Sequence, residues 1–188
     1  MKKIGITGSL ASGKTTASKI LSSGKGPLFS ADLVVKKLYQ KKSFKQLLSK
    51  KLKINYNKNF KKKLKSILIQ NKISIKKLEH TIHPLVRKEM IKFTKKNKDK
   101  SIIFYEIPLL IESKLNKNFD VIIFIKARKM IRLRRFKARG GNKKLFEILN
   151  KKQLSDKKKI NFCDHVVVNE SNIKMLKEKL LDIINKYE

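Results

Sequence analysis

At 188 residues with 40% hydrophobic side chains, the chain can bury one core and is too apolar for a disordered tail, although 34% of it is charged. Its net charge of +35 ordinarily points to nucleic acid or an anionic membrane. A single cysteine, Cys163, excludes an internal disulfide and fits a cytoplasmic location, and with only His80, His83 and His165 beside it no zinc-type spacing arises.

The charge decides less than its size suggests. Only six of the 49 basic residues are arginine; the lysines are scattered through every region, and Asn and Ile are also abundant. All three residue types have A/T-rich codons, so compositional drift explains the pattern without a polyanionic partner. No aromatic RNA-binding signature and no Trp accompany it. Nucleic-acid binding is therefore not expected, and the oligomeric state is not legible.

Met1-Lys2-Lys3 could open a signal peptide, but Gly, Thr and Ser interrupt the residues after it, and no apolar run is long enough to cross a bilayer. Ile4–Thr7 reads as a strand. Gly8-Ser9-Leu10-Ala11-Ser12-Gly13-Lys14-Thr15 then spells G-x-x-x-x-G-K-T, with a helix expected from about Thr16 to Leu21. Glycines let backbone N–H groups turn around a β-phosphate, and the helix start adds positive dipole at the same point. Lys14 would neutralise the β/γ-phosphates and the Thr15 hydroxyl would hold Mg²⁺, so Gly8 to Thr16 is the expected nucleoside triphosphate site.

Further strands are expected at Leu28–Ala31, Ser101–Glu106, Val121–Lys126 and His165–Asn169, alternating with helical segments as in a parallel α/β sheet. Between 32 and 100 there is no convincing strand, and Leu78, Ile82, Leu85/Val86 and Met90 have helical spacing, so this region reads as a helical insertion. Lys61–Lys65 reads as solvated helix surface and Lys95–Lys100 as a loop. The last helix, about Ser171–Tyr187, spaces Ile173, Leu176, Leu180 and Ile183/Ile184 as a docking face.

Three places along this frame carry chemistry. Asp32 follows the second strand, where a carboxylate is either a base for an attacking hydroxyl or a helix cap. Glu106 ends the third strand, where an acidic group can face Mg²⁺, and Pro108 would stop that strand. In the 78–87 cluster, Pro84 would kink or restart the helix that carries His83 and Arg87. Five of the six arginines, Arg128, Arg132, Arg134, Arg135 and Arg139, crowd into twelve residues; this is either a lid over transferring phosphates or a solvated basic face.

Together these residues resemble the dephospho-CoA kinase family. Its loop usually reads G-G-I-G-S-G-K-S/T, and its D-A-D strand end is matched by Ser30-Ala31-Asp32. Its L-E-x-I-x-H-P-x-V-R motif is matched by Leu78–Arg87, and its P-L-L-x-E by Pro108-Leu109-Leu110-Ile111-Glu112. An Arg-rich lid corresponds to Phe119–Arg139, and its A-D-x-V-x-N to Cys163–Asn169. The order is kept over almost the whole chain.

The resemblance implies a P-loop kinase core with a five-stranded parallel sheet, covering 1–31 and 101–188 with a lid at about 128–147, and a helical acceptor-binding insertion at 32–100. It implies transfer of the ATP γ-phosphoryl group to the ribose 3′-hydroxyl of dephospho-CoA, with Asp32 as base. His83, Arg87, Pro108 and Leu109 would line the acceptor site, and Arg135 and Arg139 would meet the transferring phosphoryl. Lys14 would share the catalytic role, and Thr15, with Glu106 as a further candidate, would face Mg²⁺. The departures are Ser30 for the first Asp of D-A-D, Glu106 for the Asp before P-L-L, Cys163 as a small buried swap for Ala, and only Gln153 kept of R-I-x-x-Q. Another small-molecule kinase would keep Lys14, Thr15 and the arginines but give no reason for the H-P motif. A nucleotide-gated RNA-binding protein would show steep salt dependence instead.

Overall fold

The computed structural model describes residues 1–55, 60, 64 and 72–188, and it divides into two compact units, 1–30 with 97–188 and 31–96. The Lys61–Lys65 surface expectation lies outside the described residues apart from Leu64, which is buried.

The first unit is built on a parallel sheet. Strands β1 (Lys2–Gly8), β2 (Leu28–Ser30), β3 (Ile102–Glu106), β4 (Val121–Lys126) and β5 (His165–Val168) lie in the order β2-β3-β1-β4-β5. The register pairs Ile6 with both Glu106 and Ile123, so β1 is central and its carboxyl end is flanked by those of β3 and β4. The apolar runs in β3 and β4 are buried along almost their whole length, as a sheet covered on both faces requires. Ile4, Ile6, Phe104, Ile123 and Ile125 form one core with Ala17 and Leu21 of α1 (Lys14–Ser22).

That helix starts two residues earlier than its periodicity suggests, because Gly13 serves as its N-cap. The second strand is shorter than expected. Ala31 is already the first residue of α2 (Ala31–Gln40).

In the second unit, α2, α3 (Lys42–Leu52) and α4 (Lys72–Lys96) surround Leu38, Phe44, Leu48, Leu52 and Ile54. Leu78, Ile82 and Leu85 pack partly buried against this cluster from α4. Pro84 does not restart the helix: α4 continues through it for 25 residues. Proline forgoes one backbone hydrogen bond, but the apolar side chains around it hold the helix on its cluster. The helix also runs to Lys96, so only the remainder of the expected 95–100 loop is non-helical.

The remaining α-helices of the first unit are α5 (Lys129–Ala138), α6 (Lys143–Lys151), α7 (Asp156–Ile160) and α8 (Ile173–Ile184). Leu176, Leu180 and Ile184 dock α8 on the sheet core, whereas Ile173, expected on the same face, is 59% exposed. It lies in the first turn, before the helix reaches the core. Cys163 is half-buried rather than enclosed, and its Sγ donates to the Lys159 carbonyl at 3.2 Å. No helix among the described residues is long and apolar enough to cross a membrane.

Candidate active site

Parallel strands end together, so β1, β3 and β4 deliver their carboxyl ends to one edge, and residues 8–15 turn there. Gly13 has φ 97°, a left-handed value natural for glycine. A Cβ on it would also lie 2.1 Å from Asn169 Nδ2. Both backbone and space therefore demand glycine at this position. Ala11 adopts φ 59° without that freedom.

The loop carbonyls are tied down by side chains. Ser12 O accepts from Asn169 Nδ2 at 2.8 Å and from an Arg135 guanidinium nitrogen at 3.2 Å. Leu10 O accepts from Arg132 at 3.3 Å, and Ser9 O accepts from Lys14 Nζ at 2.9 Å. Drawing carbonyls away from the site suits a loop that presents amide N–H groups to an anion, next to the N-terminus of α1. Lys14 is largely buried and rests on the loop itself.

Glu106 is 2% exposed and splits its carboxylate between two hydroxyls. Thr15 Oγ1 donates to Oε1 at 2.5 Å and Ser30 Oγ donates to Oε2 at 3.0 Å. Two of the departures from the family pattern, Ser30 and Glu106, thus touch each other. Pro108 and Leu109 follow after Ile107, both half-buried, and the Pro108 carbonyl accepts from Thr7 Oγ1 at 3.2 Å beside the start of the phosphate loop.

The arginine cluster is not one uniform surface. Arg132 is buried, with Nε donating to Ala127 O at 3.0 Å and a terminal nitrogen to Asn150 Oδ1 at 2.7 Å. Burial lowers its pKa, while the Asp156 and Glu147 carboxylates push back upward. It anchors α5 rather than reaching for phosphate. Arg135 is half-buried and Arg139 exposed; both line a cavity of about 360 Å³ with Gly13, Thr16, Asn169 and Ile173. The exposure of Ile173 is explained by this cavity. Asn169 is the residue that sequence reasoning underused: its motif was visible, but its bond to the loop was not.

In the second unit, Asp32 lies in the first turn of α2 and is exposed. His83 and Arg87 are one turn apart on α4, half-buried and exposed respectively. Burial lowers the His83 pKa below the ordinary imidazole value; Glu79 opposes that, and Arg87 and His80 add to it. The neutral imidazole, which can accept a hydrogen bond, is thereby favoured.

The family model for dephospho-CoA kinase matches residues 2–175. The chain belongs to the dephospho-CoA kinase family. A dephospho-CoA kinase of Fusobacterium nucleatum is 37% identical over 183 residues, covering 94% of each chain. One from Bartonella quintana is 34% identical over 189 residues, covering 98% of this chain and 97% of its own. The solved dephospho-CoA kinase of Campylobacter jejuni covers 98% of this chain and 96% of its own with a TM-score of 0.68; at 24% identity it shows the P-loop kinase fold. Family membership assigns the activity of an ATP-dependent phosphotransferase acting on dephospho-CoA.

Proposed function

We propose that the chain transfers the γ-phosphoryl group of ATP to the ribose 3′-hydroxyl of dephospho-CoA. The observation that carries the reading is the family match over residues 2–175, which spans the phosphate loop, the H-P helix and the P-L-L-x-E turn together. The oxygen–phosphorus bond forms at the 3′-hydroxyl as the bond from γ-phosphorus to the β–γ bridging oxygen breaks, so ADP leaves. Asp32 takes the hydroxyl proton. Lys14 swings from Ser9 O to the β/γ-phosphates, where negative charge grows in the transition state.

Arg135 and Arg139 meet the same phosphates, and closing the arginine lid limits hydrolysis by water. The cavity beside Gly13 and Ile173 takes the nucleoside end of ATP. The residues we assign to acceptor binding are His83 and Arg87 in the second unit and, separately, Pro108 and Leu109 in the first.

Thr15 and Glu106 offer hard oxygen donors at one point, one of them a buried carboxylate, which suits Mg²⁺ bound through few protein groups and the substrate phosphates. When bound, Mg²⁺ would offset charge on the β- and γ-phosphoryl oxygens. A cytoplasmic site of action accords with this chemistry.

The test is ADP release from Mg²⁺-ATP with dephospho-CoA, adenosine or AMP as acceptor. Stimulation by dephospho-CoA alone is expected. Equal stimulation by a control acceptor would overturn the acceptor assignment, and no stimulation by any acceptor would overturn the transferase reading.

A further inference from the structure

The segment from Asn150 to Lys159 has no apolar periodicity, yet it makes a succession of polar contacts behind the phosphate loop. Gln153 Oε1 accepts from Leu10 N at 2.9 Å. Asp156 Oδ1 accepts from Ser9 Oγ, which is buried. Asn150 Oδ1 holds Arg132, which in turn donates to Leu10 O.

The segment is fastened at its far end. Lys159 is fully buried and pairs with Glu112 at 2.7 Å, while the same Glu112 oxygen accepts from Leu154 N at 3.1 Å. Ser9 is the hub of this arrangement. Its hydroxyl goes to Asp156, and its carbonyl receives both Lys14 Nζ and Ser12 N.

A carboxylate behind an anion site opposes anion binding by charge alone. Its presence calls for a compensating gain, and the geometry supplies one: the oxygen that fixes Ser9 also fixes the carbonyl that orients Lys14. We infer that Gln153 and Asp156 are positioning residues for the phosphate loop, holding Ser9 and Leu10 in the shape that receives nucleotide. The Glu112–Lys159 pair fastens the strap, Asn150 to Lys159, that carries them. This rests on the nucleotide-binding reading of residues 8–15 and not on the identity of the acceptor.

The position and the charge of Asp156 make opposite predictions, which separates them. Asp156→Asn keeps the oxygen that accepts from Ser9 and removes the charge; Asp156→Ala removes both. Calorimetric titration of the whole chain with ADP in Mg²⁺ is expected to show Asp156→Ala and Gln153→Ala each weakened about tenfold, about 1.4 kcal/mol. Asp156→Asn should bind at least as well as the unaltered chain. The KM for ATP should rise in the two alanine variants while the KM for dephospho-CoA holds.

Ser9→Ala cuts the same contact from the loop side, so its effect should match that of Asp156→Ala and the double variant should lose no more than either. This arm remains decisive if Asp156→Ala fails to fold. Unchanged ADP affinity in Gln153→Ala and Ser9→Ala, or tighter binding by Asp156→Ala and Asp156→Asn alike, would overturn the inference. ADP binding that follows the expected pattern without dephospho-CoA-dependent turnover would support it and count against the acceptor reading alone.

Discussion

The Ser30 hydroxyl donates to Glu106 Oε2 at 3.0 Å, at the point where β2 and β3 end side by side. Where the family pattern has two aspartates, this chain has one longer carboxylate and a hydroxyl that orients it. Ser30→Ala should cost about 1–3 kcal/mol by leaving a buried acceptor without its donor. Ser30→Asp would set two carboxylates together and should lose more in EDTA, then recover when Mg²⁺ is added. Thermal unfolding in both buffers checks this; no recovery with Mg²⁺ would separate Glu106 from the metal.

Lys14→Ala should lower turnover by about 10²–10³-fold, because it removes a cation whose value rises as charge builds on the phosphates. Steady-state kinetics with saturating acceptor measures the loss. Activity within about twofold of the unaltered chain would contradict the role given to Lys14.

Ala11 carries strain that glycine would not. The left-handed region costs a residue with a Cβ about 1–2 kcal/mol, against which glycine loses about 0.5–1 kcal/mol to its freer unfolded chain. With φ 59° at Ala11, Ala11→Gly should therefore leave the protein equally stable or up to about 1.5 kcal/mol more stable. Urea unfolding should show an unchanged or raised midpoint with an unchanged slope. A fall of more than about 1 kcal/mol would mean that the methyl group packs usefully.

Lys159 is fully buried against Glu112, and Glu112 Oε2 has no hydrogen-bond partner among the described residues. Lys159→Met should cost about 3–5 kcal/mol by stranding the carboxylate, and Glu112→Leu should cost as much by stranding the ammonium. The double variant should recover most of either loss. A double variant whose loss equals the sum of the two single losses would show that the pair is not coupled.

Burial, followed by the Asp164 carboxylate, pushes the Cys163 thiol up to about 12, with Lys159 partly opposing the shift. At pH 8 the thiolate is then on the order of one part in ten thousand. Iodoacetamide should label Cys163 slowly in the folded protein and rapidly in denaturant, as read by intact mass. The folded rate should climb as pH rises toward about 12 and not level off near the ordinary thiol value.

Much of the sheet was legible because a strand covered on both faces leaves an uninterrupted apolar run, as Val121–Ile125 does. The phosphate loop was legible because its glycines and Lys14 are dictated by local geometry. The strap was not. Gln153 stood out only as the remnant of a family motif, and Asp156 and Lys159 not at all; each acts through polar contacts with residues far away in the chain, and no periodicity announces such a contact. Arg132 was grouped with its neighbours because sequence shows spacing but not depth; its guanidinium turns inward to Ala127 O and Leu10 O. Ala31 read as strand because three apolar or small residues precede it, whereas the chain turns into a helix immediately after Ser30.

The central place of β1 also governs when the protein can fold. The strand that begins at Lys2 must pair with one that begins at Ile102, far along the chain, and with β4 beyond it. During synthesis the first strand therefore leaves the ribosome with both edges open and waits until more than half the chain has been made. The 31–96 unit has an apolar cluster drawn from its own helices, so it can condense during that wait. Closing so long a loop costs entropy before any pairing returns it, which makes sheet assembly the slow event and β1 the segment most in need of protection.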